Sequence, residues 1–361
     1  MAAAAAADLR SRLGARLEQV WASRSLASTG LLPFAWLFGA VGATRRALHR
    51  RGWLATHYLP VRVVVVGNLL VGGAGKTPAT IAIVSALRRH GWSPGIVSRG
   101  YGRNDDSVRD VGPASNVHLV GDEPVVLARR TGVPVFVGAD RVAAGHALLQ
   151  AHPAVDVVVS DDGLQHLALG RDVEVLLFDE RGIGNARLLP AGALREPLPR
   201  MLRSGLIVLY NAASPTTPLA GFVGRRSLAG VVALDAWWRG EPPTLAALEA
   251  LREKKVVAVA GLARPARFFT MLREHGLVVS ELGLPDHHDF RTLPWPINAS
   301  DVVITEKDAV KIDAQRRIGT RVWVAALDFT PEPAFDAALL ALLPVIKPLL
   351  STLEPNGNPT P

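Results

Sequence analysis

The chain of 361 residues carries 40 Lys and Arg against 32 Asp and Glu, for a formal net charge of +8, and is 49% hydrophobic and 20% charged. That length and apolar content suit two compact domains, each with its own core. The absence of cysteine excludes disulfides, thiolate metal sites and cysteine nucleophiles, while the basic excess favours nucleic acid, an anionic membrane surface or an anionic substrate as partner.

After an alanine-rich start, Leu9, Leu13, Leu17, Val20 and Trp21 follow helical spacing, with Arg10, Arg12, Arg16 and Arg24 mostly off that stripe. Ser25 to Thr44 is uncharged and contains Phe34, Trp36, Leu37 and Phe38; Arg45, Arg46, His49, Arg50 and Arg51 follow at once. Gly30 and Pro33 make this a poor membrane-spanning helix. The pattern suits an interfacial or re-entrant anchor, with arginines for anionic headgroups and tryptophans at the interface; the alternative is a helix buried on the globular body.

Val61–Val66 is an apolar β-branched run of the kind buried on both faces of a sheet. A glycine loop and a helix from about Pro78 to His90 follow. Further strands are expected at Gly95–Ser98, Asn116–Val120, Val133–Val137, Val155–Ser160, Val173–Phe178 and Leu206–Tyr210, with helices at Pro124–Arg130 and Arg141–Ala151. This alternation predicts an α/β fold, a P-loop NTPase-like parallel sheet with both faces covered. Trp237, Trp238, Gly240, Pro242 and Pro243 mark a composition change. The expected organisation is therefore 1–55 as a membrane-associating helical segment, 56–228 as the P-loop domain and 229–250 as a linker. A second, smaller α/β domain spans 251–348, with strands at Lys255–Ala260, Leu277–Leu282 and Val302–Thr305 and a helix at Ala263–His275. The Pro- and Asn-rich tail, 349–361, is expected to be disordered. No nucleic-acid motif is present, so no nucleic-acid partner is expected.

Gly72-Gly73-Ala74-Gly75-Lys76-Thr77 lies between a strand and a helix, the context of a phosphate-binding loop. Glycines let backbone N–H groups approach phosphate oxygens, and the helix N-terminus adds partial positive charge. Leu70 to Thr77 would cradle the nucleotide, Lys76 would reach the β- and γ-phosphates, and Thr77 would offer its hydroxyl to Mg²⁺. Leu70 stands where the strict motif has its first glycine. The double glycine instead resembles the deviant loop of partitioning ATPases, whose signature lysine is replaced here by Val71. Asp161 and Asp162 at a strand tip suit a Mg²⁺-side carboxylate pair. Asp122 in Gly121-Asp122-Glu123-Pro124 suits either a helix cap or an acid of the site. Asp286-His287-His288-Asp289 could bind metal, cap a turn or tune a general base. Arg99 and Arg103 flank Tyr101 on a Gly-hinged loop that suits an anionic group.

Together, Val66–Leu69 leading to Gly72–Pro78, Ser98–Arg103, Gly121–Pro124, Ser160–His166, Gly184-Asn185, Leu189–Gly192, Leu194–Pro197, Gly261–Phe269, Asp286-His287 and Thr305–Lys311 resemble the tetraacyldisaccharide 4′-kinase (lipid A 4′-kinase) family. The resemblance runs in order from Val61 to Lys311. It implies ATP and Mg²⁺, and a tetraacylated glucosamine disaccharide 1-phosphate phosphorylated at its 4′-hydroxyl to give lipid IVA. It also implies a location at the cytoplasmic face of the bacterial inner membrane. It implies catalytic roles for Asp122, His287 and Lys76, metal-side roles for Thr77, Asp161, Asp162 and Glu196, and ligand contacts for Arg99, Tyr101 and Arg103. The competing expectation is a membrane-associated ATPase switch that hydrolyses ATP without phosphorylating a lipid.

Overall fold

A computed structural model describes residues 17, 19–103, 105–313, 316 and 318–343. The alanine-rich start with Leu9, Leu13, Arg10, Arg12 and Arg16, and the Pro-rich tail, lie outside the described residues.

The helices α1 (Leu26–Gly30) and α2 (Leu32–Arg50) precede the sheet, with Pro33 in the first turn of α2. The mixed α/β body follows as β1 (Arg62–Gly67), α3 (Lys76–Arg89), β2 (Pro94–Ser98), β3 (Arg109–Asp110), α4 (Val117–Val120), α5 (Asp122–Thr131), β4 (Val135–Val137), α6 (Arg141–Ala151), β5 (Val157–Asp161), β6 (Val173–Asp179), β7 (Leu206–Asn211) and β8 (Phe222–Ala233). It continues with α7 (Leu234–Trp238), α8 (Leu245–Glu249), β9 (Lys255–Ala260), α9 (Pro265–Glu274), β10 (Val278–Gly283), β11 (Asp301–Thr305), α10 (Glu306–Ala309), β12 (Arg321–Pro331) and α11 (Pro333–Ala341).

The strands form one 12-stranded sheet in the order β10-β9-β11-β12-β8-β7-β6-β1-β5-β2-β4-β3. Pairing is parallel except at β12–β8 and β3–β4. Strand β1 explains why its sequence is an unbroken valine run. Val64 and Val66 pack into the core on one face, and Val63 and Val65 into the core on the other. A strand buried on both faces has no polar side to display.

Strand β8 joins two parallel blocks. Phe222 and Val223 pair with β7, while Gly224 to Ala233 run antiparallel to β12. The expected linker at 229–250 therefore begins inside a strand and continues as α7 and α8. Trp237 is buried, and the Arg129 guanidinium lies 3.9 Å from its ring centroid. In the sequence this stretch resembles a connector because the partner strand, β12, lies far away along the chain. The strand expected at Asn116–Val120 is instead the short helix α4, since the Asn116 side chain accepts from the His118 N–H at 2.9 Å and caps it.

The expected membrane-associated segment corresponds, among the described residues, to a pair of helices lying on the body. Ser28 donates to the Ala191 carbonyl at 2.5 Å, Trp21 Nε1 to the Pro190 carbonyl at 2.9 Å, and Asn185 Nδ2 to Ser28 Oγ at 3.1 Å. Among the described residues no helix is long and apolar enough to cross a membrane.

Candidate active site

The carboxyl ends of strands from both blocks open onto one cavity of 680 Å³. Its floor is the loop from Val71 to Thr77, and its walls include Tyr101, Glu123, Asp162, Arg195, Arg226, His287 and Lys307.

The loop is held by its carbonyls. Asn68 Nδ2 donates to the Leu70 carbonyl at 2.8 Å, Arg181 Nη1 to that of Val71 at 2.9 Å, and Asn211 Nδ2 to that of Ala74 at 2.8 Å. By contrast, the N–H groups from Gly72 to Thr77 make no backbone hydrogen bond among the described residues. A loop tied through its acceptors, with its donors free at a helix N-terminus, is an anion cradle. Gly75 has φ of +84°, and a Cβ there would collide with the Arg226 guanidinium and the Asn211 amide. Both its conformation and the close approach of these groups demand glycine.

Lys76 Nζ lies 3.2 Å from Asn68 Oδ1 and 3.5 Å from Asp162 Oδ1. Burial opposes ionisation of Asp162, but Lys76 and Arg195 hold its carboxyl below the usual range. Asp161 ends β5 fully buried; Thr80 donates to its Oδ1 at 3.0 Å, and its Oδ2 has no partner. Burial, with the charges of Glu123 and Asp162, pushes the Asp161 carboxyl upward. An orphaned carboxylate oxygen beside a phosphate cradle fits a divalent cation held mainly by phosphates and one or two acids. Thr77, Asp161 and Asp162 suit that role; no cluster of three or more His, Asp or Glu side chains among the described residues would hold a metal alone.

Asp122 opens α5 after the cap residue Gly121, and its Oδ1 accepts from the Glu123 N–H at 2.9 Å. Its other oxygen, Oδ2, lies 2.9 Å from His287 Nδ1 and 3.4 Å from Lys311 Nζ. Burial opposes its ionisation, but the hydrogen bond with His287 and the charges of Lys307 and Lys311 outweigh it, and the carboxyl lies well below the usual range. The Tyr101 ring lies 5.2 Å from the His287 ring at a 45° tilt, and Lys307 Nζ lies 3.5 Å from His287 Nε2. His287 faces the cavity, with Asp122 behind it at 5% exposure. The histidine comes from the loop after β10 and the aspartate from the first block, so the pair bridges the two halves of the sheet.

Four expected ligand or metal residues stand elsewhere. Leu70 is fully buried in the core and outside the cavity lining. Arg99 is exposed and outside the cavity lining. Arg103 is folded into its own loop, donating to the Ser107 carbonyl at 2.6 Å with its side chain 3% exposed. Glu196 pairs with Arg46 of α2 at 3.2 Å rather than lining the cavity.

The residues that sequence reasoning missed are mostly cationic. Arg226, Arg264 and Arg267 line the cavity, and Lys307 pairs with Glu123 and Asp286 at 3.2 Å each. Burial and then the neighbouring Arg267 bring Arg226 down to about 10. Arg264 and Arg267 belonged to a segment already matched to the family and were legible there; Arg226 carried no local signal.

The LpxK family profile, described as Tetraacyldisaccharide-1-P 4′-kinase, matches residues 27–344. A tetraacyldisaccharide 4′-kinase of Methylibium petroleiphilum is 52% identical over 347 residues, covering 95% of this chain and 97% of its own length. One of Leptothrix cholodnii is 52% identical over 341 residues, covering 93% and 98%. The crystal structure of apo-form LpxK from Aquifex aeolicus in complex with ATP superposes with a TM-score of 0.74 at 28% identity, covering 88% of this chain and all (100%) of that one. Identity at this level along nearly the whole chain makes it a member of the tetraacyldisaccharide 4′-kinase family.

Proposed function

We propose that the chain transfers the γ-phosphate of ATP to the 4′-hydroxyl of a tetraacylated glucosamine disaccharide 1-phosphate, giving lipid IVA at the cytoplasmic face of the bacterial inner membrane. The observation that carries this reading is the shared cavity. An anion cradle of free loop amides and an Asp–His pair from opposite halves of the sheet open onto one space.

In this reading residues 56–228 bind the nucleotide, 251–348 contribute His287 and Lys307, and the segment 1–55 meets the membrane. Transfer of a phosphoryl group is mainly a matter of positioning and charge stabilisation. The amides of Gly72 to Thr77 and the Lys76 ammonium would hold the phosphates. Thr77, Asp161 and Asp162 would hold Mg²⁺ with the phosphates, and its chemistry there would be charge neutralisation. The Asp122–His287 pair takes the proton of the attacking hydroxyl. The hydrogen bond with His287 and the charges of Lys307 and Lys311 keep Asp122 ionised, and the Tyr101 ring lies against the imidazole. Glu196, through Arg46, would tie the lipid-facing helix α2 to the catalytic body.

Exposed large apolar residues support the membrane role. Phe34, Trp36 and Leu37 of α2 are 61%, 68% and 63% exposed, beside the basic cluster that ends the helix. A face of this kind suits the headgroup–acyl boundary.

The deciding measurement is transfer of label from [γ-³²P]ATP with a tetraacyl disaccharide 1-phosphate in mixed micelles. Label should enter a chloroform-soluble product in step with ADP formation. Release as free phosphate alone would instead favour an ATPase switch.

A further inference from the structure

Four arginines line the cavity, and three of them have an acid. Arg195 pairs with Asp162 at 3.3 Å, Arg264 with Asp179 at 3.5 Å, and Arg267 with Glu180. Arg226 makes no ion pair among the described residues, and its buried Nε has no hydrogen-bond partner. Its strand position is fixed by pairing opposite Phe329 of β12, and its guanidinium packs directly over Gly75, beside Lys76. An unpaired, largely buried cation next to a second arginine is unfavourable by itself. Nearby Asp179 and Glu180 do not neutralise it, because Arg181, Arg264 and Arg267 already occupy them.

We infer that Arg226 grips the terminal phosphate of bound ATP and stabilises the charge that grows there during transfer. The inference rests on the kinase reading. The end of the loop where Lys76 begins the helix is the end that meets the β- and γ-phosphates. A planar guanidinium at that end can donate two parallel hydrogen bonds to phosphate oxygens. In the transfer, the acceptor oxygen bonds to the γ-phosphorus, and the bond from that phosphorus to the β–γ bridging oxygen breaks. The electron pair stays on ADP, and the hydroxyl proton goes to the Asp122–His287 pair. Negative charge therefore shifts onto the bridging oxygen beside Lys76 and Arg226. ADP lacks the terminal group, so the contact distinguishes substrate from product.

The test compares wild type, Arg226→Gln and Arg226→Lys in three measurements: lipid labelling from [γ-³²P]ATP, equilibrium affinity for MgATP and MgADP, and the melting temperature without ligand. For Arg226→Gln the expected loss of turnover is on the order of 10³-fold or more, the range seen when an arginine finger is removed. MgATP binding should weaken by about tenfold while MgADP binding stays close to wild type. The ligand-free melting temperature should hold or rise, because an unpaired buried charge has been removed. Arg226→Lys should recover part of the ATP affinity but less of the rate, since a point charge cannot form the fork. The idea fails if Arg226→Gln turns over at near the wild-type rate. It fails equally if ATP and ADP affinities drop together with the melting temperature, for Arg226 is then a buttress under the loop. If wild type labels no lipid, the kinase reading falls, and the ATP-over-ADP comparison still decides whether Arg226 meets the terminal phosphate.

Discussion

Asp122 Oδ2 lies within 2.9 Å of an imidazole nitrogen and 3.4 Å of an ammonium, both from residues more than 160 positions later in the chain. A helix-start role needs neither partner; Oδ1 serves it by accepting from the Glu123 N–H, while Oδ2 makes both of these contacts. Its neighbours hold it ionised, and the folded carboxyl lies below the unfolded one. The stability it contributes is thus present above the usual carboxylate range and is lost as pH falls through the folded value. Replacing Asp122 with Asn should lower turnover by about 10²–10⁴-fold, the usual range for a proton-transfer group. ATP affinity should be retained, since Asp122 makes no contact with the phosphate loop. Parallel measurement of lipid labelling and nucleotide binding checks this, and a near-normal rate in Asp122→Asn would remove the residue from the chemistry.

At the scale of elements, the loops carrying Asn185, Pro190 and Ala191 dock α1 and the residues before it onto the body. In the sequence they count among the segments that resemble the family, and their contacts are with Trp21 and Ser28. Docking from one side leaves the aromatic face of α2 outward. Changing Phe34, Trp36 and Leu37 together to Ser should abolish co-sedimentation with anionic phospholipid vesicles. Folding should be little affected, because exposed substitutions usually change stability by less than about 0.5 kcal/mol each. Unchanged vesicle binding would refute the membrane role of this face. Elements with a single clear pattern were legible: α6 and β9 fall where the sequence places them, because the Asp140 side chain caps α6 and Val256–Ala260 is an unbroken apolar strand. Strands β8 and β12 were not. Arg225, Arg226 and Ser227 interrupt the apolar pattern of β8, since part of that strand faces a charged cavity rather than a core. Arg226 was missed for the same reason: what makes it useful in the cavity makes it look like a loop residue. The phosphate loop and the Asp122–His287 pair could be found, whereas the ties of Arg103 and Glu196 to their own neighbours depend on contacts that sequence spacing does not encode.

Across the whole molecule, the two parallel blocks are one sheet, and their junction is also locked by side chains. Arg130 of the first block reaches Glu306 at 2.7 Å and Asp328 of β12, while Arg129 lies over Trp237. The site is therefore assembled across a hydrogen-bonded seam rather than across a flexible connector. That seam also has a timetable. In the sheet, β12 lies between β8 and β11, yet in the chain it comes after both. As the polypeptide leaves the ribosome, β8 and β11 must each wait with an open edge until residues 321–331 emerge and slot between them. A chain stopped after residue 318 would lose its central plank, not a dispensable end. It should collect in the insoluble fraction, whereas soluble, ATP-binding protein of that length would contradict the seam. Among the described residues, the last strand made is the one that joins the two halves of the catalytic pair into one sheet.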